Sequence, residues 1–514
     1  MRVGGTVRAP ADHPPVADSD PRPSVRPAGA GRNTLLAFAT QLATGAFTAA
    51  IIIYLVRALG PHDFGLFSLA AGIGALLMLP SDFGISGSVS RYIAERHQDS
   101  RAVASLLADG LKLKLVISSV VSLVLIALAG PIAEAYGEPS LGWPIRWIAV
   151  AVFGQSLVAL YRYAFLAMRD ATAGFRMVVG ESAVGAGATV LLVMIAGGAA
   201  AASAGRAVGY AFGAALAIGI TLKHFGPAAF SRSRTLRQAR QKLGRYAGAL
   251  FAIDAAFAAS VQLAPLMIGG FFSAREVGLF QAPSRLIVLF QYPGVALTNG
   301  VTPRMARSED HEPEVELFTT AMRYLLILQA LMVVPIVVWA GPIVDLVLGA
   351  DYERSAELLQ LLGPYIFASG LAGPLTGAVD YLGEAKRRVP ISIADFVLSA
   401  VLTAVLLATI GLNGAAWAAD IVSILYIGVH IWLLRSLVAM PLRPLLATTL
   451  RALLAASAMA AVLLAFGTED LAVWEWFAGG LGGGAAFLAV ILATREVTIA
   501  ELRALPSALL RGRG

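Results

Sequence analysis

Four arginines interrupt stretches of this chain that are otherwise apolar: Arg57, Arg162, Arg206 and Arg285. A guanidinium inside such a run is costly, so it faces either a cavity or a partner. Its fork of donors matches phosphate or carboxylate oxygens in pairs and keeps its charge at any relevant pH. The chemistry on offer is therefore anion binding. Arg162 stands between Tyr161 and Tyr163, well inside its stretch, and Arg285 lies about two turns into its own. For these two a cavity is the favoured reading, with a structural pair to an acid on another helix as its competitor. Arg57 and Arg206 stand nearer the ends of their stretches, where snorkelling to the interface is the plainer reading.

The acids read as buried within apolar runs are Asp82, Glu181, Asp254, Asp380, Asp395 and Asp420. They offer either cation binding or internal salt bridges to the arginines. His430 is the only histidine in a span, and one ring is most simply a packed polar residue. The chain has no cysteine, which excludes disulfides, thiolate metal sites and cysteine nucleophiles. The glycine runs at 197–198 and 482–484 lack the following Lys-Ser/Thr of a phosphate loop. No cofactor, no metal site and no catalytic residue are expected.

The elements that must hold these groups are membrane helices. Of 514 residues 58% are hydrophobic and 14% charged, with a mean hydropathy of +0.75; a soluble domain carries about a quarter charged residues. Apolar stretches of spanning length lie at 34–56, 65–90, 113–135, 145–168, 177–197 and 203–222. A second set lies at 246–270, 278–302, 324–348, 357–382, 389–410 and 414–434, and a last pair at 449–466 and 473–494. The expectation is an all-α polytopic membrane protein with about fourteen transmembrane helices. In such a protein the net charge of +7 matters less than where the charges fall, and nucleic acid is not an expected partner.

Charge placement sets orientation. With the N-terminus inside, one side collects Arg91, Arg96, Arg101, Lys112, Lys114, Arg169 and Arg176, the basic stretch 232–245, the run Lys386-Arg387-Arg388, and the C-terminal arginines. The other side keeps few, among them Arg57, Arg146, Arg275 and Arg354. Both termini are expected to be cytoplasmic. The chain also repeats itself. AGPI at 129–132 returns at 340–343, and Gly65-Leu66-Phe67 returns as Gly278-Leu279-Phe280. At the same offset Leu76, Pro80, Gly87 and Arg91 meet Leu289, Pro293, Gly300 and Arg304. Each copy holds an even number of spans, so the copies share one orientation and should form two parallel lobes with a path between them. The expected organisation is a disordered cytoplasmic tail at 1–32, a six-helix lobe at 33–222, a basic cytoplasmic linker at 223–245 and a second six-helix lobe at 246–435. Two additional helices at 436–494 and a cytoplasmic tail at 495–514 complete it. The copies differ where Arg285 meets Gly72 and Asp254 meets Gln41.

The loop text narrows the class. Residues 57–70, with Leu59-Gly60-Pro61 followed by Phe64-Gly65, resemble the opening of the polysaccharide (oligosaccharide or O-antigen-type) flippases of the multidrug/oligosaccharidyl-lipid/polysaccharide (MOP) exporter superfamily. Glu276-Val277-Gly278-Leu279-Phe280 resembles the same loop in the second lobe. Pro303-Arg304-Met305-Ala306, Leu348-Gly349-Ala350-Asp351-Tyr352 and the stretch 411–416 are similar to later turns of that family. The resemblance implies a MATE-like double lobe and a plasma-membrane flippase moving polyprenyl-pyrophosphate-linked oligosaccharides for surface polysaccharide assembly. Its implied partners are membrane lipid, the lipid-linked glycan and polysaccharide-assembly proteins. On that reading Arg162, Arg285, Arg57 and Arg206 are candidate pyrophosphate contacts. Gln291, Tyr292 and Asn299 either contact sugars or bond neighbouring helices. Some flippases of the superfamily place cation-binding acids on the seventh and eleventh helices, which puts Asp254 and Asp395 forward for Na+ or H+ coupling; internal salt bridges explain them equally well. A multidrug exporter of the same superfamily stays open as an alternative, as does a scaffold recruiting glycosyltransferases. A membrane polymerase or ligase fits poorly, for want of a large outward loop.

Overall fold

The computed structural model describes residues 30–96, 99–226, 258–307 and 312–497. Asp254 and most of the basic linker lie outside them. All regular elements among the described residues are helical. The first half comprises α1 (Ala30–Asp82), α2 (Ile85–Glu95), α3 (Ser100–Ala135), α4 (Gly142–Ala167), α5 (Ala171–Ala196) and α6 (Gly198–Phe225). The second runs from α7 (Ala258–Phe271) through α8 (Ala274–Ile287), α9 (Tyr292–Gly300), α10 (Val315–Val338) and α11 (Ala340–Val347). It continues with α12 (Arg354–Leu361), α13 (Gly363–Tyr381), α14 (Arg388–Ile410) and α15 (Asn413–Leu437), and α16 (Leu442–Ala465) and α17 (Val473–Ala493) close the chain.

Among the described residues ten helices are long and apolar enough to cross a membrane, and α12 with α13, bent by 49°, makes one broken span more. The departures from fourteen separate stretches have local causes. The first two stretches join in α1, interrupted only at Gly60, whose φ of 69° and ψ of 174° belong to a region that glycine alone occupies at little cost. The eighth stretch is divided into α8, a 3-10 turn at Val288–Gln291 and α9, with Pro283 and Pro293 each removing a backbone donor. The ninth breaks at Trp339, after Pro335. Boundaries move too: helix begins at Ala30, and α6 carries three residues into the expected linker.

Two copies of the repeat meet face to face. A methyl group on Gly65 would sit 1.7 Å from the Ala274 carbonyl oxygen, and one on Gly278 would sit 1.8 Å from that of Pro61. The pairs 61/274 and 65/278 are offset by the same interval, so each copy offers its glycine to the other copy's carbonyl, the reciprocal pattern of a two-fold axis. Small residues are needed here because backbones touch.

Around that contact lies a core shared by both halves, drawing Val56, Phe64 and Leu66 from α1, Ile145 from α4 and Ala202 from α6. Val277 and Phe280 of α8, with Val344, Tyr352 and Leu412, complete it. At the opposite end the halves keep separate cores. Ile93, Leu107, Tyr161 and Met177 pack in the first, and Phe318, Leu375, Leu433 and Leu445 in the second. The last two helices dock on α10 through Trp339, Met459 and Phe487. Trp143 and Trp147 near the start of α4, and Trp474 and Phe477 near the start of α17, are exposed, as expected of aromatic side chains at a membrane interface.

Candidate functional site

The α5–α6 pair is the foundation of the site. Gly205, Gly209 and Gly213, spaced by four on α6, lie against Thr189, Gly185 and Glu181, spaced by four on α5. Methyl groups at the three glycines would come within 2.3, 2.6 and 2.8 Å of those residues. The close approach lays the Glu181 side chain over Gly213 and fixes it between the two helices. Arg206 follows the first of these glycines. Its guanidinium bonds the Tyr210 hydroxyl at 3.4 Å and lies 5.7 Å from the centre of that ring, a cation–π arrangement that holds the side chain without neutralising it.

Charges converge here from four helices. The Glu181 carboxylate lies in the positive field of Arg206 and of Arg162 from α4. Arg285, in the last turn of α8, feels the like charge of Arg206 across the boundary between the halves. Arg206 is exposed and Arg285 half-buried. Among the described residues neither Arg162 nor Arg285 donates a side-chain hydrogen bond, so their donors are free.

The remaining sequence candidates stand elsewhere. Arg57 donates to the Val347 carbonyl at 3.0 Å and also to that of Leu346, so it caps the C-terminal end of α11 and ties the first half to the second. Tyr352 reinforces that end, its hydroxyl donating to the Val56 carbonyl at 3.1 Å; burial raises the affinity of this phenol for its proton. Gln291 is half-buried in the 3-10 turn, and Asn299 is exposed on α9. The Tyr292 hydroxyl reaches α1, 3.2 Å from where a Gly45 methyl would be. Asp395 borders a cavity of about 280 Å3 between α14 and α15, lined otherwise by Ile391, Leu398, Val422 and Tyr426. Among the described residues no three His, Asp or Glu side chains converge as a metal site would require. Asp420 accepts from the Tyr365 amide at 2.8 Å and so caps α13. Asp380 pairs with Arg388 at 2.5 Å.

Two groups escaped the sequence reading. Lys114, assigned there to the cytoplasmic side, is fully buried. It is paired with Asp82 and donates to the Ser156 hydroxyl at 3.0 Å. Ser118 bridges Ser156 at 2.8 Å and Ser81 at 2.9 Å. The signal lay in the period: Leu107, Leu111, Lys114, Ser118 and Leu125 form one buried stripe of α3. The second is Glu496, in the expected C-terminal tail. It packs back on the bundle, accepting from Arg323 at 2.6 Å and also from Arg451 and Thr448. Burial would raise the pKa of this carboxyl, but those donors outweigh it and hold the pKa below its ordinary value.

With this geometry in view, comparison with known proteins is informative. A family model described as polysaccharide biosynthesis protein matches residues 30–309. Among solved structures, the lipid II flippase MurJ in an inward closed conformation superposes with a TM-score of 0.71 at 13% identity, over 91% of this chain and 99% of that one. An inward-facing multidrug resistance MATE family transporter of the MOP superfamily gives 0.55 at 16% identity, over 79% and 95%. No curated protein matches the chain.

Proposed function

The chain belongs to the polysaccharide biosynthesis protein family, and from that premise we propose that it flips polyprenyl-pyrophosphate-linked oligosaccharides across the plasma membrane. It has the fold shared by MurJ and MATE transporters. Two parallel six-helix lobes, with both termini cytoplasmic and α16–α17 outside the duplication, would alternate around the cleft. What supports the reading is that Arg206 of the first half and Arg285 of the second are close enough to repel one another. Like charges brought together at a cost call for an anion between them, and a pyrophosphate offers oxygens to both forks. A glycan and a pyrophosphate cannot enter hydrocarbon unaided, because stripping water from them costs many kcal/mol. The cleft supplies countercharge while the polyprenyl tail stays in lipid.

The two ends of the molecule have different tasks under this reading. The shared core around Gly65 and Gly278 is the closed outer seal, and Arg57 and Tyr352 are its latches. The separately packed ends admit substrate from the cytoplasm. Arg162, Arg206 and Arg285 take the pyrophosphate; Gln291, Tyr292 and Asn299 meet the sugars. Asp395, with Asp254, is the place for a coupling cation. No catalytic group is assigned. Deleting the gene should cause the lipid-linked glycan to accumulate on the cytoplasmic leaflet. Unchanged glycan together with altered efflux of cationic dyes would overturn the reading in favour of drug export.

A further inference from the structure

The glycine contact at the seal is symmetric, but the hydrogen bonds that flank it are not. At one seam, where residues 56–57 of α1 meet α11 and the turn after it, Arg57 donates to the Val347 and Leu346 carbonyls and Tyr352 to that of Val56. The repeat makes a second seam, where the end of α7 meets the end of α3 and the turn before α4. Gly270 stands there in place of Arg57 and Leu141 in place of Tyr352, so both donors are missing. A methyl on Gly269, the counterpart of Val56, would lie 3.0 Å from the Tyr136 ring. Among the described residues one hydrogen bond crosses this second seam. The Ala274 amide, the first of α8, donates to the Glu138 carboxylate at 3.3 Å.

That bond differs in kind from those of the first seam. Ser273 precedes α8 but gives it no side-chain cap, since its hydroxyl donates to Glu276. The helix takes its cap from the other half, a carboxylate where exposed amides and the dipole favour negative charge. His62 of α1 lies 4.0 Å from the same carboxylate. At 3.3 Å the bond is longer than an ordinary amide bond. The repeat cannot make it twice: Pro61 replaces Ala274 and has no amide hydrogen, and Gly349 replaces Glu138.

We infer that the seal opens at the Glu138 seam while the Arg57–Tyr352 seam stays closed and acts as its hinge. Cargo released outward then leaves between the α3–α4 turn of the first half and the α7–α8 turn of the second. The inference rests on the flippase reading, though only on its two alternating halves and not on the cargo. Its physical content is an inequality. Parting the second seam breaks one hydrogen bond, whose carboxylate and amide both regain water. Parting the first breaks three and uncovers the carbonyl end of α11. Glu138 is a gating residue that touches no cargo.

The chain has no cysteine, so pairs of spin labels report each seam separately in the full-length protein in nanodiscs, beside a flipping assay on the same samples. Ser140→Cys with Phe272→Cys spans the gate and Ala58→Cys with Leu346→Cys the hinge, all four positions being exposed. Adding a polyprenyl-pyrophosphate oligosaccharide should give the gate pair a second, longer distance and leave the hinge pair with one. Glu138→Ala should raise the long-distance fraction about tenfold without the lipid. Glu138→Gln, which keeps an acceptor oxygen but loses the charge, should raise it less. Lengthening of the hinge pair, equal lengthening of both pairs, or no change at either while the parent still flips the lipid would overturn the gate and leave the flippase reading standing. A gate pair that lengthens in Glu138→Ala, in a protein that moves no lipid-linked glycan, would uphold the gate and sink the flippase reading.

Discussion

The two halves solve one packing problem in different ways. In the first, Ser81 at the end of α1, Ser118 of α3 and Ser156 of α4 meet through hydroxyl bonds, with the Lys114–Asp82 pair beside them. In the second, the repeat puts Gly294 where Ser81 stands, and Gln329 where Ser118 stands. A methyl on Gly294 would lie 2.0 Å from the Gly370 carbonyl oxygen. Gln329 reaches over Gly370 to the Phe290 carbonyl at 2.7 Å. The matching positions for Lys114 and Asp82 are Leu325 and Val295. The first half holds this junction with buried charge and the second with close backbone contact and one amide. The asymmetry runs the other way at the cleft, where the second half carries Arg285 and the first has Gly72. A duplicated frame therefore keeps its glycine contact symmetric and spends its differences on charge.

Giving each half the other's residue tests that contrast. The largest effect is expected from Arg285→Gly, which imports the first half's identity into the cleft. Polysaccharide export in a deletion strain should fall at least about a hundredfold while the protein still reaches the membrane; Arg162→Ala should follow it. Next comes Lys114→Leu, the second half's identity. Alone it strands Asp82 and should cost about 3–5 kcal/mol in thermal unfolding, whereas Lys114→Leu with Asp82→Val should recover nearly all of it. Failure of the double variant to recover would mean that the charges, rather than the packing, hold the junction.

The seal should respond symmetrically. Gly65→Ala and Gly278→Ala each drive a methyl into the partner's carbonyl, and each should cost about 1–3 kcal/mol. Effects differing by more than that span would break the two-fold account. The smallest effect concerns Glu496. Its pKa is depressed below the ordinary 4.5, so its contribution is full above that value and is lost as pH falls through the lower folded value. The stability gap between the parent and Glu496→Gln, about 1 kcal/mol at neutral pH, should close on acidification and persist at higher pH.

Much of this was legible in the sequence. The helical class follows from long apolar runs and the repeat from Gly and Pro recurring in register, because glycine and proline mark backbone geometry directly; the family came from the resemblance of the loop text at 57–70 and 276–280 to known flippases. That Gly65 and Gly278 face each other was not, since a repeat does not say which surfaces of its copies meet. The sequence reads Arg57 and Arg206 alike, as groups near the interface that the resemblance puts forward as pyrophosphate contacts. The structure separates them, with Arg57 on α11 carbonyls and Arg206 on Tyr210 of its own helix, a distinction set by helix rotation and tilt rather than by depth in an apolar run. Lys114 was hidden by its neighbour Lys112, which is exposed on the other side of α3; adjacent cations suggested a loop where the helical period placed one of them inside.

The central claim is a cationic cleft, built from both halves, that carries a lipid-linked pyrophosphate. Its most direct test is translocation of a fluorescent polyprenyl-pyrophosphate oligosaccharide across proteoliposomes containing the full chain, read by protection from a membrane-impermeant quencher. The parent protein should move the lipid, and Arg206→Ala combined with Arg285→Ala should reduce transport to the protein-free rate. Equal transport by both proteins, or transport of a cationic dye in place of the glycan lipid, would contradict the account.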